Sequence, residues 1–248
     1  VQDDAPQVID ADGRKSPRKD LFLDNVRLNA SAFPARHLID LPSYRYTIDG
    51  VSATSLIAQL GCPFECGFCA GRLSPMLRHI RTRTTANIVE EIEQVHRTYG
   101  HTGFMFYDDE LNVSKSMVEL MGAITALQRN LGVEFRLRGF IKSELFTQSQ
   151  AEAMHAAGFR QILVGFESGS PRILDNINKK ATREDNTRCV ALAHAAGLKV
   201  KALMSIGHPG ESARTVADTR DWLLEARPSD FDVTVITRYW PVFLRGAG

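Results

Sequence analysis

From Ala53 onward the 248-residue chain repeats one rhythm: a short apolar run of β-forming residues, a polar turn, then a longer stretch with apolar residues at helical spacing. Residues 54–60, 103–107, 134–137, 161–166, 200–206 and 232–237 read as strands. Helices are expected over 85–99, where Ile88, Ile92 and Val95 share a face, and over 114–130, 148–157, 183–196 and 213–225. A further helix starts after Ser170, with Pro171 at its first position, and Gly197 ends the one before the fifth strand. Six strand-then-helix units with short connections imply a parallel sheet with right-handed crossovers. The count stops two units short of a closed eightfold barrel. The expected fold is therefore α/β, a partial (β/α)6 TIM-like barrel, with a doubly wound open sheet as the alternative. In both, ligand chemistry belongs at the carboxyl ends of the strands.

Composition narrows the function further. Lys and Arg number 30 against 29 Asp and Glu, a net charge of +1, so the chain lacks the basic bias of a nucleic-acid or membrane-surface binder. At 44% hydrophobic and 24% charged it has the profile of a folded domain. No stretch approaches the ~18 unbroken apolar residues of a membrane span, and the start has no apolar signal-peptide core, which points to the cytoplasm. Residues 1–50, with charged clusters and little periodicity, are expected to be a leader or linker. Residues 51–240 form the barrel core and 241–248 a short tail.

Three of the four cysteines crowd into the loop after the first strand, Gly61-Cys62-Pro63-Phe64-Glu65-Cys66-Gly67-Phe68-Cys69-Ala70. Three thiolates on a tight loop can converge on one centre, and soft sulfur selects zinc or an iron–sulfur cluster. Ala70 excludes haem attachment, which needs His after the second Cys of a C-x-x-C pair. A redox pair of Cys66 and Cys69 leaves Cys62 unexplained. Structural zinc needs a fourth ligand; His79 and His101 are available, but neither sits at a zinc-finger spacing. Cys189 lies in an amphipathic helical run and reads as a buried structural thiol. A [4Fe–4S] cluster held by Cys62, Cys66 and Cys69 would keep one iron open.

This loop, C-x3-C-x2-C with Phe68 directly before the last Cys at the end of the first strand, resembles the radical S-adenosylmethionine (SAM) superfamily. The resemblance runs from about Pro34 to Thr237. It implies that the open iron is chelated by the amino and carboxylate groups of SAM, with Phe68 against the adenine. It further implies that Asp108, Asp109 or Glu110, after the second strand, meets the SAM ammonium, although the family's Gly-Gly-Glu-type turn is replaced by acids. Glu167 and Ser168 resemble a ribose-binding Glu-Ser-Gly, and Gly207-His208-Pro209-Gly210-Glu211 resembles a Gly-x-Pro-Gly-Glu turn that lets Ile206 contact adenine. Arg138, at the end of the third strand, is a candidate for a carboxylate of SAM or substrate. Arg72, Arg78, His79, Arg81 and Arg83 make a locally basic segment, a solvated loop or a landing place for an anionic substrate or an acidic electron carrier.

The implied reaction is reductive cleavage of SAM to methionine and a 5′-deoxyadenosyl radical that abstracts hydrogen from a small-molecule substrate, for methylation or rearrangement, with flavodoxin or ferredoxin as electron donor. A non-catalytic iron–sulfur or zinc module is the alternative. Within the superfamily, Phe33 to Leu41 looks like the linker that follows a cobalamin-binding domain. The sequence nevertheless holds no Asp-x-His-x-x-Gly run of the cobalamin-ligating type. Cobalamin use is thus a weaker expectation than the cluster and SAM. An auxiliary cluster would need further cysteines, and only Cys189 remains.

Overall fold

The computed structural model describes residues 24–236 and, ahead of them, the two-residue strand pair Val8–Ile9 and Lys15–Ser16. The expected tail, 241–248, and the last residue of the expected sixth strand, Thr237, lie outside the described residues.

One sheet carries the fold. Its strands are β1 (Thr47–Ile48), β2 (Val51–Leu56), β3 (Gly103–Phe106), β4 (Arg136–Ile141), β5 (Phe159–Glu167), β6 (Lys199–Ile206) and β7 (Asp230–Val235). Their spatial order follows the chain, from β1 at one edge to β7 at the other. β1 and β2 form an antiparallel hairpin whose two-residue turn, Asp49-Gly50, has φ of +46° and +83°, matching the twist of the strands it joins. Every later pair is parallel. The sheet curls into a half barrel, as the six strand-helix units imply.

The crossover helices are α1 (Thr85–Tyr99), α2 (Met117–Leu131), α3 (Gln148–Ala156), α4 (Pro171–Asn176), α5 (Arg183–Ala195) and α6 (Ala213–Ala226). Side-chain caps set their starts. Thr84 accepts from Asn87, and Thr147, Thr182 and Ser212 each form reciprocal capping boxes with Gln150, Asp185 and Thr215. The main core lies between these helices and the outer sheet face. Ile88, Ile92 and Val95 of α1, and Leu120, Met121 and Ile124 of α2, pack with Phe104, Phe106, Leu137, Ile141, Ile162, Val164 and Phe166. Cys189, fully buried in α5, belongs to this core, and burial pushes its thiol pKa up. The concave face holds a smaller cluster of Ile48, Ala53, Met105 and Leu163. The inside of the arc is therefore only partly filled.

Two strand boundaries differ from expectation for reasons that bear on the site. The third parallel strand runs to Ile141, not Leu137, because Gly139 is not a turn. A Cβ there would meet Phe106 Cβ at 3.2 Å and the Phe159 ring at 3.3 Å, so the neighbouring side chains close over a bare backbone. The first parallel strand ends at Leu56, since Asp108 draws away the amides of Ala58 and Gln59, and Gln59–Leu60 pair instead with Arg81–Thr82.

The expected leader is packed on the barrel from Asp24 on. Asn25 and Asn29 side chains accept from the amides of Thr82 (3.0 Å) and Thr84 (2.7 Å). Arg36 donates to Ser55 O (2.8 Å) and pairs with Glu91 at 2.8 Å, while Arg83 pairs with the other Glu91 oxygen at 2.5 Å. Glu91 is 1% exposed. Removing one partner of a buried network leaves uncompensated charge and costs about 3–5 kcal/mol. Glu91→Gln is therefore expected to lower the melting temperature by roughly 10 °C, at ~2–4 °C per kcal/mol for a chain of this size. Thermal denaturation by circular dichroism measures it.

Candidate active site at the carboxyl ends of the strands

The cysteine loop leaves the sheet at Gly61, where φ is +94° and a Cβ would lie 2.3 Å from His79 O, so only glycine fits. Backbone bonds then hold the loop on two sides. Cys62 N donates to Leu77 O (2.8 Å) and Gly67 N to Ile177 O (2.6 Å), and Asn178 Nδ2 donates to Glu65 O (3.0 Å). From the end of β3, Asp109 accepts from Gly61 N (2.9 Å) and Asp108 from Ala58 N and Gln59 N. Both of these candidate carboxylates thus anchor the loop. Burial pushes the Asp108 carboxyl up to about 7 against the pull of its amide donors.

The three thiols sit at graded depth: Cys66 is buried, Cys62 half-buried and Cys69 exposed. Burial raises the pKa of Cys62 and Cys66; for Cys66 the charges of Lys179 and Lys142 act in the opposite direction. Neutral, desolvated thiols of this kind become thiolates when a metal centre supplies the charge. Among the described residues no three His, Cys, Asp or Glu side chains gather where one ion could bind them all. A cubane spreads its thiolates over separate irons, so the three sulfurs need not converge on one point.

Beside the loop lies a polar cluster that includes buried atoms without hydrogen-bond partners. Glu110, third of the acid run, has a buried Oε2 without a hydrogen-bond partner, and burial lifts its pKa to about 7 although Lys179 and Lys142 pull it down. Lys142, 2% exposed, lies over the Phe64 ring at 4.2 Å and pairs with Glu144 at 2.9 Å. Lys179, 4% exposed, pairs with Glu167 Oε1 at 3.2 Å. Burial works against the Lys179 charge, yet Glu167 and Glu110 hold its pKa above the usual value.

Glu167 owes its aim to the backbone. The β5–β6 register shifts between Leu203 and Met204, which pair with Gly165 and Glu167, so Phe166 is an extra residue. Such a bulge turns the next side chain. Glu167 itself has φ of +65°, a conformation that costs a non-glycine residue about 1 kcal/mol or more and is found where a site requires it. Ser205 Oγ donates to Glu167 Oε2 (2.8 Å) and therefore accepts from His208 Nε2 (2.7 Å). That leaves His208 Nδ1 a buried acceptor with no partner. Phe68 closes the cluster, its ring 5.6 Å from that of His208 and 5.9 Å from Lys179 Nζ.

Other candidates are placed elsewhere. Ser168 hydrogen-bonds Thr219 Oγ1 (3.0 Å) and Ser170 N (3.1 Å), fastening the turn to α6. Ile206 lines an apolar groove of about 440 Å³ on the outer face with Val216, Leu224 and Phe231. Arg138 stands in mid-strand rather than at a strand end. Of the basic segment, Arg78, Arg81 and Arg83 donate to the carbonyls of Pro63, Met76 and Ile57, holding loops within the chain. Sequence reasoning missed Lys142, Lys179 and His208 as site residues. Lys142 follows the true end of β4, where the strand-end rule finds it once Ile141 is included. His208 stood in a noted turn, but its contact with Ser205 is tertiary, and Lys179 carried no local signal.

An open parallel barrel with a three-cysteine loop at the mouth of its first parallel strand defines a class of iron–sulfur α/β proteins. A profile described as the Radical SAM superfamily matches residues 56–223, and the chain belongs to that family. The cofactors of the family are a [4Fe–4S] cluster and SAM. The chain is 29% identical to an uncharacterized methyltransferase of Pyrococcus horikoshii, over 72% of this chain and 38% of that protein. It is 28% identical to an anaerobic magnesium-protoporphyrin IX monomethyl ester cyclase of Rubrivivax gelatinosus, over 65% and 29% respectively. The radical SAM methyltransferase TsrM of Kitasatospora setae, solved with cobalamin and a [4Fe-4S] cluster bound, superposes with a TM-score of 0.67 at 23% identity, covering 75% of this chain and 37% of that one. The chain thus spans well under half the length of each of these three relatives. No helix among the described residues is long and apolar enough to cross a membrane.

Proposed function

We propose that the chain is the catalytic core of a radical SAM enzyme acting on a small molecule. The observation that carries this reading is the trio Cys62, Cys66 and Cys69 beside unpartnered acceptors, with the fourth cysteine, Cys189, sealed in the outer core. When bound, the reduced cluster and SAM supply the one-electron cleavage of the sulfonium C–S bond that releases methionine and a 5′-deoxyadenosyl radical. The chain's own residues bind and orient. Glu110 Oε2 is the acceptor for the SAM ammonium, Asp108 and Asp109 having been spent on the loop. Glu167, aimed by its bulge, accepts from the ribose hydroxyls, and His208 Nδ1 is a further acceptor beside it. Phe68 lies against the adenine, and Lys142 or Lys179 meets the SAM carboxylate. Burial of these groups keeps water from the reacting bond.

Relatives named as methyltransferases support methyl transfer as the outcome, with rearrangement or ring closure second, as in the relative named a cyclase. Cobalamin is assigned no residue of this chain, since the sequence lacks the Asp-x-His-x-x-Gly run; what favours it is the linker-like run Phe33 to Leu41 and the cobalamin-bound structures of similar fold. Free thiols and a low-potential cluster suit a reducing cytoplasm and a ferredoxin or flavodoxin donor. The test is anaerobic reconstitution, then incubation with dithionite and SAM. Formation of 5′-deoxyadenosine supports the reading; a cluster that forms without it favours a non-catalytic module.

The two buried ammonium groups also set the ease of reduction. Removing a cation near Cys66 disfavours the added electron, so Lys179→Met is expected to lower the cluster potential by on the order of 50 mV. Redox titration followed by electron paramagnetic resonance measures it, with the exposed Lys180→Met as the unshifted control.

A further inference from the structure

Deeper in the arc, the concave face carries a second polar feature that the SAM cluster does not use. The strand register sets Ser55, Met105, Arg138, Gln161 and Lys199 side by side in one row across five strands. One step nearer the mouth the row is Phe140, Leu163, Lys201 and Asp230. Arg138 Nε is buried without a hydrogen-bond partner. Tyr46, whose hydroxyl lies beside Arg138, is partly buried, and burial pushes its pKa up. Asp230, a carboxylate that feels the Arg138 charge, is held by Lys201 at 3.0 Å. Over this floor Tyr107 and Phe140 stand with ring centroids 6.3 Å apart, and Tyr107 is 55% exposed. A guanidinium with a donor to spare, beneath an open aromatic shelf, matches a flat apolar body ending in an anion.

We propose that this floor is the substrate site, and that it takes a flat, largely apolar molecule with a carboxylate or phosphate. Arg138 and the Tyr46 hydroxyl bind the anionic group, and Tyr107 and Phe140 bind the body. The proposal rests on the reading of the barrel mouth as the catalytic end. Arg138 and Lys142 are four residues apart on one concave row line, or ~13 Å at the rise of a strand. The reacting carbon is therefore at the far end of the molecule from the anion.

Binding of pyrene probes to the reconstituted protein, without SAM or reductant, tests this separately from any radical chemistry. Fluorescence anisotropy compares 1-pyrenebutyrate, 1-pyrenebutyl phosphate and the neutral 1-pyrenebutanol. The expected result is at least tenfold tighter binding of an anionic probe than of the alcohol, the better anion naming the group. Arg138→Met should abolish that preference, leave the alcohol's affinity within twofold, and leave iron content unchanged. Arg138→Lys should keep part of the preference, which guards against a folding defect in the first variant. Leu224→Glu, in the outer groove, should change nothing. Equal binding of all three probes to the unaltered protein, equal loss of all three in Arg138→Met, or loss in Leu224→Glu alone would overturn the assignment.

Discussion

Cys66→Ala is expected to abolish cluster assembly while keeping the fold. Anaerobic reconstitution of the unaltered chain should give about four irons per chain, as a cubane requires, and the variant almost none. 5′-Deoxyadenosine formation should fall below detection with it. The reason is positional. Cys66 is 9% exposed, at the inner end of the loop where the charges of Lys179 and Lys142 bear on its sulfur. No other cysteine is near the loop to replace it, because Cys189 is a core residue of α5. The fold should survive, since no cysteine side chain holds the loop: Cys62 N donates to Leu77 O, Gly67 N to Ile177 O, and Gly61 N to the Asp109 carboxylate. Iron analysis, together with a far-ultraviolet spectrum, reads both halves. A full iron complement in the variant would mean that another residue is the ligand.

The second large effect belongs to Glu167. Loss of its carboxylate should weaken SAM binding about 100-fold, on the basis of two charge-assisted hydrogen bonds at about 1.5–3 kcal/mol each, not fully additive. Iron content should not change. Three substitutions separate the causes. Glu167→Gln keeps an acceptor for Ser205 and loses the charge, so it should fall short of the full loss. Glu167→Ala removes both and leaves Lys179 buried without its ion-pair partner. Glu167→Gly should match alanine in SAM affinity yet be the more stable of the two, because glycine adopts φ of +65° without strain. Calorimetric titration with SAM and thermal melts distinguish these outcomes. Equal SAM affinity in all three variants and the unaltered chain would remove Glu167 from the site.

Much of this was legible before any coordinates, and the physical reason is periodicity. Apolar residues at helical spacing placed α1 over the residues it occupies, and the alternation of strands with helices implied a parallel arc. The cysteine loop stood out because three thiols within eight residues have few other uses. What stayed hidden depended on long-range contacts. Asp108, Asp109 and Glu110 are adjacent and chemically alike; only the folded loop shows that two meet backbone amides and the third faces Lys142 and Lys179. The Arg138-Gly139 pair looked like a strand end, and the packing of Phe106 and Phe159 around Gly139 continues the strand through it. The bulge that aims Glu167 is a relation between β5 and β6, which neither strand's own sequence contains.

The most direct measurement is electron–nuclear double resonance on the reduced, reconstituted protein, with SAM carrying 15N in its amino group and 17O in its carboxylate. If one iron is left open by Cys62, Cys66 and Cys69, both labels should show hyperfine coupling to the cluster, and the paramagnetic resonance spectrum should change on adding SAM. Tight SAM binding with neither coupling, and a spectrum indifferent to SAM, would contradict an open iron at this loop.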